Sequence, residues 1–401
     1  MKFNISIIFF LLCVLPLYAQ NYDPFIADLM NQTNLDSLTS FVRILSGEDS
    51  VKLGDSTVLI QHRINYLGND LAAEYLKQKL ESYGLDTYDQ LYSEDGRNIY
   101  AIQPGTLYAN QLFLICAHYD AVDYYCADDD ASGVAAVLEA ARILSSCQFN
   151  YTIIYALWDE EEFGRIGSSY YASQADSNNS DIQGVLNLEM FGWDEDNDGL
   201  IDIHTRDIAY SVALANLLIR IDSLYTLSLN PIIYNPGTTA SDHSSFWDKG
   251  FSAIVFSEAY WGGDFNPYYH SSEDRIDKFN LSYFLELTKL AIGSISTLVI
   301  ENPIVSVEND VQSIPTAFIL NNYPNPFNYS TIIHYELPND EYVVVSIFNC
   351  LGEKVDELVN KFQSSGRYDI QFSADNLSSG TYIVTLNTSR VHRCGKIILL
   401  K

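Results

Sequence analysis

Positive charge is scarce in this chain of 401 residues: 22 lysines and arginines stand against 52 aspartates and glutamates, for a formal charge of −30. That balance argues against a nucleic-acid or anionic-membrane partner. It suits a soluble extracellular protein and leaves room for bound cations. Cysteine is sparse as well, with six residues and no CxxC pair, which argues against a thiolate zinc site. Beyond the N-terminus no run reaches the roughly 18 apolar residues that a spanning helix requires, so no transmembrane segment is expected. No internal repeat is evident. Core material is plentiful, since 47% of residues are hydrophobic and 13% aromatic, enough for one large domain and a smaller module.

The N-terminus has a basic start at Met1-Lys2, a short apolar run from Ile7 to Leu17, and then Tyr18-Ala19-Gln20. This is the form of a cleavable signal peptide, with the cut expected after Ala19. A lipoprotein reading through Cys13 is weaker, because Leu12 stands where a small residue is expected. Export permits disulfides, and a Cys350–Cys394 pair is possible. Cys116, Cys126 and Cys147 complete an odd set of five in the exported chain, so at least one thiol stays free.

Apolar spacing predicts a helix from Asn69 to Leu85 with Gly84 at its C-cap, and another from Ser132 to Leu144. Strands are predicted at Asn98–Gln103, Gln111–Ala117, Tyr151–Trp158, Gly184–Leu188 and Ser252–Ser257. Strands apolar on consecutive positions and alternating with helices indicate an α/β domain with a mostly parallel central sheet flanked by helices. Residues 21 to 60 give mixed helical signals. Around 303–317 prolines and small polar residues mark a linker. Beyond it, short alternating strands at Thr331–Glu336, Tyr342–Phe348, Arg367–Phe372, Thr381–Leu386 and Lys396–Leu400 read as a small all-β sandwich. The expected divisions are a signal peptide at 1–19, the main domain at 20–302, the linker at 303–317 and the sandwich at 318–401.

Five segments carry candidate chemistry. Cys116-Ala117-His118-Tyr119-Asp120 ends a strand on a histidine, with an aspartate able to take the second imidazole N–H, an arrangement common to metal-binding histidines. Ala127-Asp128-Asp129-Asp130-Ala131-Ser132-Gly133 opens a helix with three aspartates, where one cap would explain one of them. Asp159-Glu160-Glu161-Glu162-Phe163-Gly164 puts four acids after a strand, which repel one another unless cations compensate. Leu188-Glu189-Met190 closes another strand on an acid, and Asn266 to Asp274 contains His270. His118, Glu161/Glu162 and Glu189 each follow the carboxyl end of a predicted strand, the edge at which sites assemble in open α/β sheets. The mix of imidazole and carboxylate donors suits zinc, with cobalt or manganese as substitutes.

In order and spacing, His118-x-Asp120, Ala127 to Gly133, Glu161-Glu162-x-Gly164 with Gly167-Ser168, Leu188-Glu189-Met190 and Tyr269-His270 resemble the two-zinc aminopeptidase family typified by bacterial leucyl aminopeptidases. The resemblance covers about residues 60–300 and makes 20–302 a zinc peptidase catalytic domain. It implies that Asp129 bridges two zinc ions, with His118 and Glu189 completing one site and Glu162 and His270 the other. It further implies a bridging water as nucleophile, Glu161 as general base, Asp120 orienting His118, and Tyr269 donating to the developing oxyanion. Ser241 could orient Glu189, and His243 reads as structural. Cys126-Ala127 departs from the small pair usual before the acidic cluster, placing a thiol near the metals with oxidation sensitivity as one consequence. The expected activity is release of N-terminal residues from peptides. Same-fold alternatives are a glutaminyl cyclase or a carboxypeptidase, and a non-catalytic binding protein would be expected to have lost ligands.

Asp194-x-Asp196-x-Asp198-Gly199-x-x-Asp202 has the alternating carboxylates of a calcium loop, although Thr205 occupies the place of the distal glutamate. In the tail, Asn322 to Asn328, Asn349-Cys350-Leu351-Gly352 and Ser379-Gly380-Thr381-Tyr382 resemble the C-terminal sorting domains of the type IX secretion system. That resemblance implies an extracellular or outer-membrane surface location and the secretion machinery as a partner. A monomer is expected.

Overall fold

The computed structural model describes residues 22–64, 66–303, 319–323, 325–363, 366–374 and 377–401. The expected signal peptide and all but the first residue of the expected linker lie outside these ranges. Asp23 accepts from the Phe25 N–H and Asn34 from the Ser37 N–H, capping the helices α1 (Pro24–Asn31) and α2 (Leu35–Leu45) in the region of mixed signals. A hairpin of β1 (Val51–Leu53) and β2 (Ser56–Val58) leads to α3 (Tyr66–Ser82). Gly84 follows at φ +77, the left-handed turn a C-terminal glycine allows.

Then come β3 (Asp86–Leu91), β4 (Arg97–Gln103), β5 (Tyr108–His118), α4 (Ala131–Leu144), β6 (Tyr151–Trp158), α5 (Ile166–Ser177) and β7 (Asp181–Glu189). The domain finishes with β8 (Leu200–His204), α6 (Ser211–Tyr225), β9 (Asn230–Tyr234), α7 (His243–Trp247), β10 (Ala253–Glu258) and α8 (Leu281–Glu301). One sheet of eight strands in the order β3-β4-β6-β5-β7-β10-β8-β9 forms its middle. The four central strands β6, β5, β7 and β10 run parallel, while β4 and β8 flank them antiparallel. The sheet is therefore mixed with a parallel centre.

Both faces are covered, which is why the central strands are apolar at consecutive positions. On one face α4, α6 and α8 pack Val134, Leu138, Leu218 and Leu287 into the main core. On the other, α5 and α7 cover Leu114, Ile154 and Trp158 with Ala172, Phe246 and Trp247. Helix α8, 21 residues with mean hydropathy 1.4 over its apolar window, is long and apolar enough to cross a membrane, contrary to the expectation from the sequence. In the structure 78% of that window is buried, so its apolarity is spent on this core.

From β5 the chain passes through α4 to β6 on one side, then through α5 to β7 on the other. The crossovers diverge at the carboxyl end of β5, leaving a crevice there.

The tail comprises β11 (Ile319–Tyr323), β12 (Ser330–Leu337), β13 (Glu341–Phe348), β14 (Lys354–Gln363), β15 (Gly366–Ser373), β16 (Gly380–Asn387) and β17 (His392–Leu399). Two antiparallel sheets, β11-β12-β15 and β14-β13-β16-β17, enclose a core that includes Ile333, Val345, Phe372, Val384 and Ile397. Strand β14 escapes the apolar-alternation test because its outward residues are mostly charged, as befits an edge strand. Cys350 and Cys394 are exposed free thiols, so the possible disulfide is not formed. Cys394 lies across from Thr385 in the β16–β17 ladder, whereas Cys350 belongs to the turn after β13.

Candidate metal centre

The carboxyl ends of β5, β6 and β7 deliver His118, the Asp159–Glu162 turn and Glu189 to one place, and the loop after β10 adds His270. Buried His118 points Nε2 at Asp129 Oδ1, 3.1 Å away, and at Glu189 Oε1, 3.3 Å away. His270 points its Nε2 at the other oxygen of the same aspartate, Asp129 Oδ2, at 3.1 Å, and at Glu162 Oε2 at 3.0 Å. One carboxylate thus faces two imidazoles, each with its own glutamate. Asp129 Oδ2 and Glu162 Oε1 are buried without a well-aligned hydrogen bond. Lone pairs left so, converging with imidazole nitrogens, fit a divalent cation better than a hydrogen-bond network.

Burial pushes the Asp129 carboxyl up, but His118 and His270 outweigh it and hold it well below the usual range. Burial would lower both imidazoles; the facing carboxylates instead raise them, His270 to about 10. Glu162 is pushed up to about 7 by burial and by Asp129. Burial also lifts Glu161 well above the ordinary carboxylate range, His118 draws it partly back, and Asp242 and Glu189 push it further up.

The three adjacent aspartates divide the work. Asp130 caps α4 at the Gly133 N–H and also accepts from the backbone N–H groups of Met190 and His118. A side chain at Gly133 would put Cβ 2.4 Å from Asp130 Oδ1, which is why the residue there is glycine. Asp128 accepts from Gly192 N at 2.7 Å and Asn266 Nδ2 at 2.9 Å, tying the β7 and β10 loops together. Although Asp130 lies close enough to His118 and Glu189 to make a metal triad by distance, its oxygens are taken by N–H groups. Asp129 is the member left facing the imidazoles.

Asp120 orients His118 through Nδ1 at 3.2 Å, and the same carboxylate accepts the backbone N–H groups of Glu161 at 3.0 Å and Glu162 at 3.1 Å. Asp159 holds that turn from below, accepting from Asn69, Glu160 and Arg97. Ser241 Oγ donates to Glu189 Oε2 at 2.5 Å while accepting from Asn187 Nδ2 at 2.8 Å. Asn187 was not singled out in the sequence, although it sits two residues before Glu189 on the same face of β7. Asp274, inside a segment already flagged, accepts the backbone N–H groups of Asp128 and Asp129. Arg63 also went unnoticed. His243 is buried and donates to Thr238 O, a structural role.

Tyr269 stacks on His270 with ring centroids 3.7 Å apart and is 40% exposed. Burial and the surrounding carboxylates raise its hydroxyl, which stays protonated and able to donate. A cavity of about 130 Å³ adjoins the centre, lined among others by Glu189, Met190, Ala240, Val255, Phe265 and Tyr269. The Cys126 thiol is buried, turned to Asp123 O, and pushed up to about 12 chiefly by burial. A thiol so placed resists ionisation.

The acidic loop after β7 differs from the expectation in its membership. Asp194 and Asp196 approach Asp264, while Asp202 turns to the N–H groups of Trp261 and Gly262. Asp198 accepts from Leu200 N. Asp202 lies inside strand β8, whose pairing fixes its direction.

Taken together, the crevice and its donors define an α/β protein with a paired imidazole–carboxylate centre at the carboxyl edge of a parallel-centred sheet. Residues 98–294 match peptidase family M28. Residues 321–400 match the secretion system C-terminal sorting domain, which marks the protein for export to the cell surface or beyond. A probable leucine aminopeptidase of Trichophyton verrucosum is 28% identical over 218 residues, covering 50% of this chain and 57% of the relative. The chain spans about half the length of the curated relatives it matches. Among solved structures, the LapA aminopeptidase of Legionella pneumophila shares the fold at TM-score 0.60 and 22% identity, over 73% of this chain and 79% of that one. Porphyromonas gingivalis glutaminyl cyclase does so at 0.54 and 17%, over 67% and 99%.

Proposed function

We propose that this chain is a secreted aminopeptidase that holds two zinc ions and removes N-terminal residues from peptides. The observation that carries the reading is Asp129, whose two oxygens each lie 3.1 Å from a different imidazole. In this reading Asp129 would be shared between the ions, with His118 and Glu189 holding one and Glu162 and His270 the other. The ions supply Lewis acidity and a water of lowered pKa. Glu161, on the turn held by Asp120, takes the proton of the attacking water and returns it to the leaving amine. Tyr269 donates to the oxygen of the tetrahedral centre. Asp120 fixes the His118 tautomer, and Ser241 holds Glu189 in its bonding orientation. The sorting domain is read as the part engaged by the type IX machinery, and the enzyme as a monomer. A weaker second reading places a calcium ion at Asp194, Asp196 and Asp264.

The test is Glu161→Gln assayed on leucyl-p-nitroanilide, with zinc counted in the same preparation. Loss of about 10²–10⁴-fold in kcat with about two zincs per chain is expected; full activity in the variant would refute the role. A single zinc would favour the cyclase. Cleavage of N-blocked peptides from their carboxyl end would favour a carboxypeptidase.

A further inference from the structure

We infer that Arg63 is a positioning residue for the metal centre, a buried guanidinium that sets the spacing of His118 and Asp129; this rests on the two-zinc reading. The chain has few cations, and this one is 1% exposed. Its hydrogen-bond partners are all carbonyl oxygens. Nε donates to Tyr119 O at 2.7 Å. Nη1 donates to Leu45 O at 2.7 Å and Tyr125 O at 3.0 Å. Nη2 donates to Cys126 O at 2.8 Å and, at the long limit of 3.5 Å, to Asp129 O. Those contacts use all five N–H donors of the fork.

A buried charge is tolerated when every donor is paired, so the carbonyls are held as firmly as the cation requires them. Four of the five belong to the loop between β5 and α4. Tyr119 follows His118 at its start, and Asp129 stands at its end. One rigid planar group therefore spans the stretch of chain that separates two ligands. Leu45, at the end of α2, anchors the group to the main core. The backbone of Arg63 is fixed in turn, its carbonyl accepting from Ala121 N at 3.1 Å and from Asn69 Nδ2 at 3.3 Å. Asn69 also donates to Asp159 at 2.8 Å, so the same corner braces the turn that carries Glu161 and Glu162. Lysine cannot copy this: it has three donors and no plane.

The full-length protein with Arg63→Lys, Arg63→Met or Leu298→Ala would be compared with wild type. Leu298 is buried in α8 beside the start of β6, at the opposite edge of the sheet, and serves as a matched stability control. Zinc affinity is read by chelator competition, unfolding temperature separately, and ligand geometry from the visible spectrum of the cobalt-substituted protein. Arg63→Met should lose about 10–100-fold in zinc affinity, Arg63→Lys less, and both should shift the cobalt bands. Leu298→Ala should lower the unfolding temperature with zinc affinity and spectrum unchanged. Wild-type zinc affinity in both Arg63 variants, or equal zinc loss in Leu298→Ala at a matched unfolding temperature, would overturn the inference. Should Arg63→Met fail to fold, Arg63→Lys against Leu298→Ala decides alone. If wild type itself binds no zinc, the two-zinc reading fails before Arg63 is tested.

Discussion

Replacing Asp120 by asparagine probes the coupling between a ligand and the general base in a single atom change. The Asp120 carboxylate is wholly buried and serves three donors: His118 Nδ1 at 3.2 Å, Glu161 N at 3.0 Å and Glu162 N at 3.1 Å. Asparagine has one acceptor oxygen, and its NH₂ must face one of those N–H groups. At least one charged hydrogen bond is then lost, about 1.5–3 kcal/mol, and a buried donor is left unpaired. His118 Nδ1 and Glu161 N share Oδ1, so an amide oxygen in that place keeps both and leaves Glu162 N unpaired, loosening the turn at that residue. An amide oxygen in the place of Oδ2 keeps Glu162 N alone, and both Glu161 N and His118 lose their acceptor, the imidazole with it the partner that fixes its tautomer. Either way zinc affinity should fall about 10–100-fold, which corresponds to about 1.4–2.7 kcal/mol. Chelator competition reads that loss, thermal unfolding of the metal-free protein reads the structural share, and kcat/KM on leucyl-p-nitroanilide reads the catalytic share. Zinc affinity and kcat/KM both within threefold of wild type would show that Asp120 does not couple the two.

Three further outcomes follow from the charges and loops. In the metal-free protein His270 holds its proton to about pH 10, because Asp129 and Glu162 outweigh the lowering effect of burial. Ligands must be deprotonated to bind, so zinc affinity should rise with pH toward that value. Calorimetry near neutral pH in buffers of differing ionisation enthalpy should detect proton release; none would contradict the ligand assignment. The metal-free fold should respond with the opposite sign, since a raised imidazole stabilises it fully below about pH 6.5, a contribution lost as pH rises through about 10. For the acidic loop, calcium should raise the unfolding temperature of wild type and not of Asp194→Asn with Asp264→Asn. An equal rise in both would remove the calcium reading.

The parts legible in the sequence are those governed by local periodicity. Strand β6 was bounded at Tyr151 and Trp158 because a strand covered on both faces must be apolar throughout. Helix α4 was recognisable from its spacing and cap. The edge strand β14, charged on its outward face, gave no such signal. Helix α8 was not predicted, and its apolarity does not say which setting it suits, since burial among other helices and burial in lipid ask for the same residues.

By itself the sequence determined the inventory: an acid or histidine at each strand end, a rarity of cations, no thiolate cluster, and two modules of different period. Only the tertiary structure decided what each group faces. It gave Asp130 and Asp128 to backbone N–H groups and left Asp129 between two imidazoles. It replaced Asp202 by Asp264 in the acidic loop, it gave Asn187 and Asp274 their partners at the centre, and it brought Arg63 there from a position with no motif around it. The reason is physical. A ligand's identity is a property of one residue, but its direction depends on which donors from distant segments reach it first, and those distances exist only after the sheet has assembled.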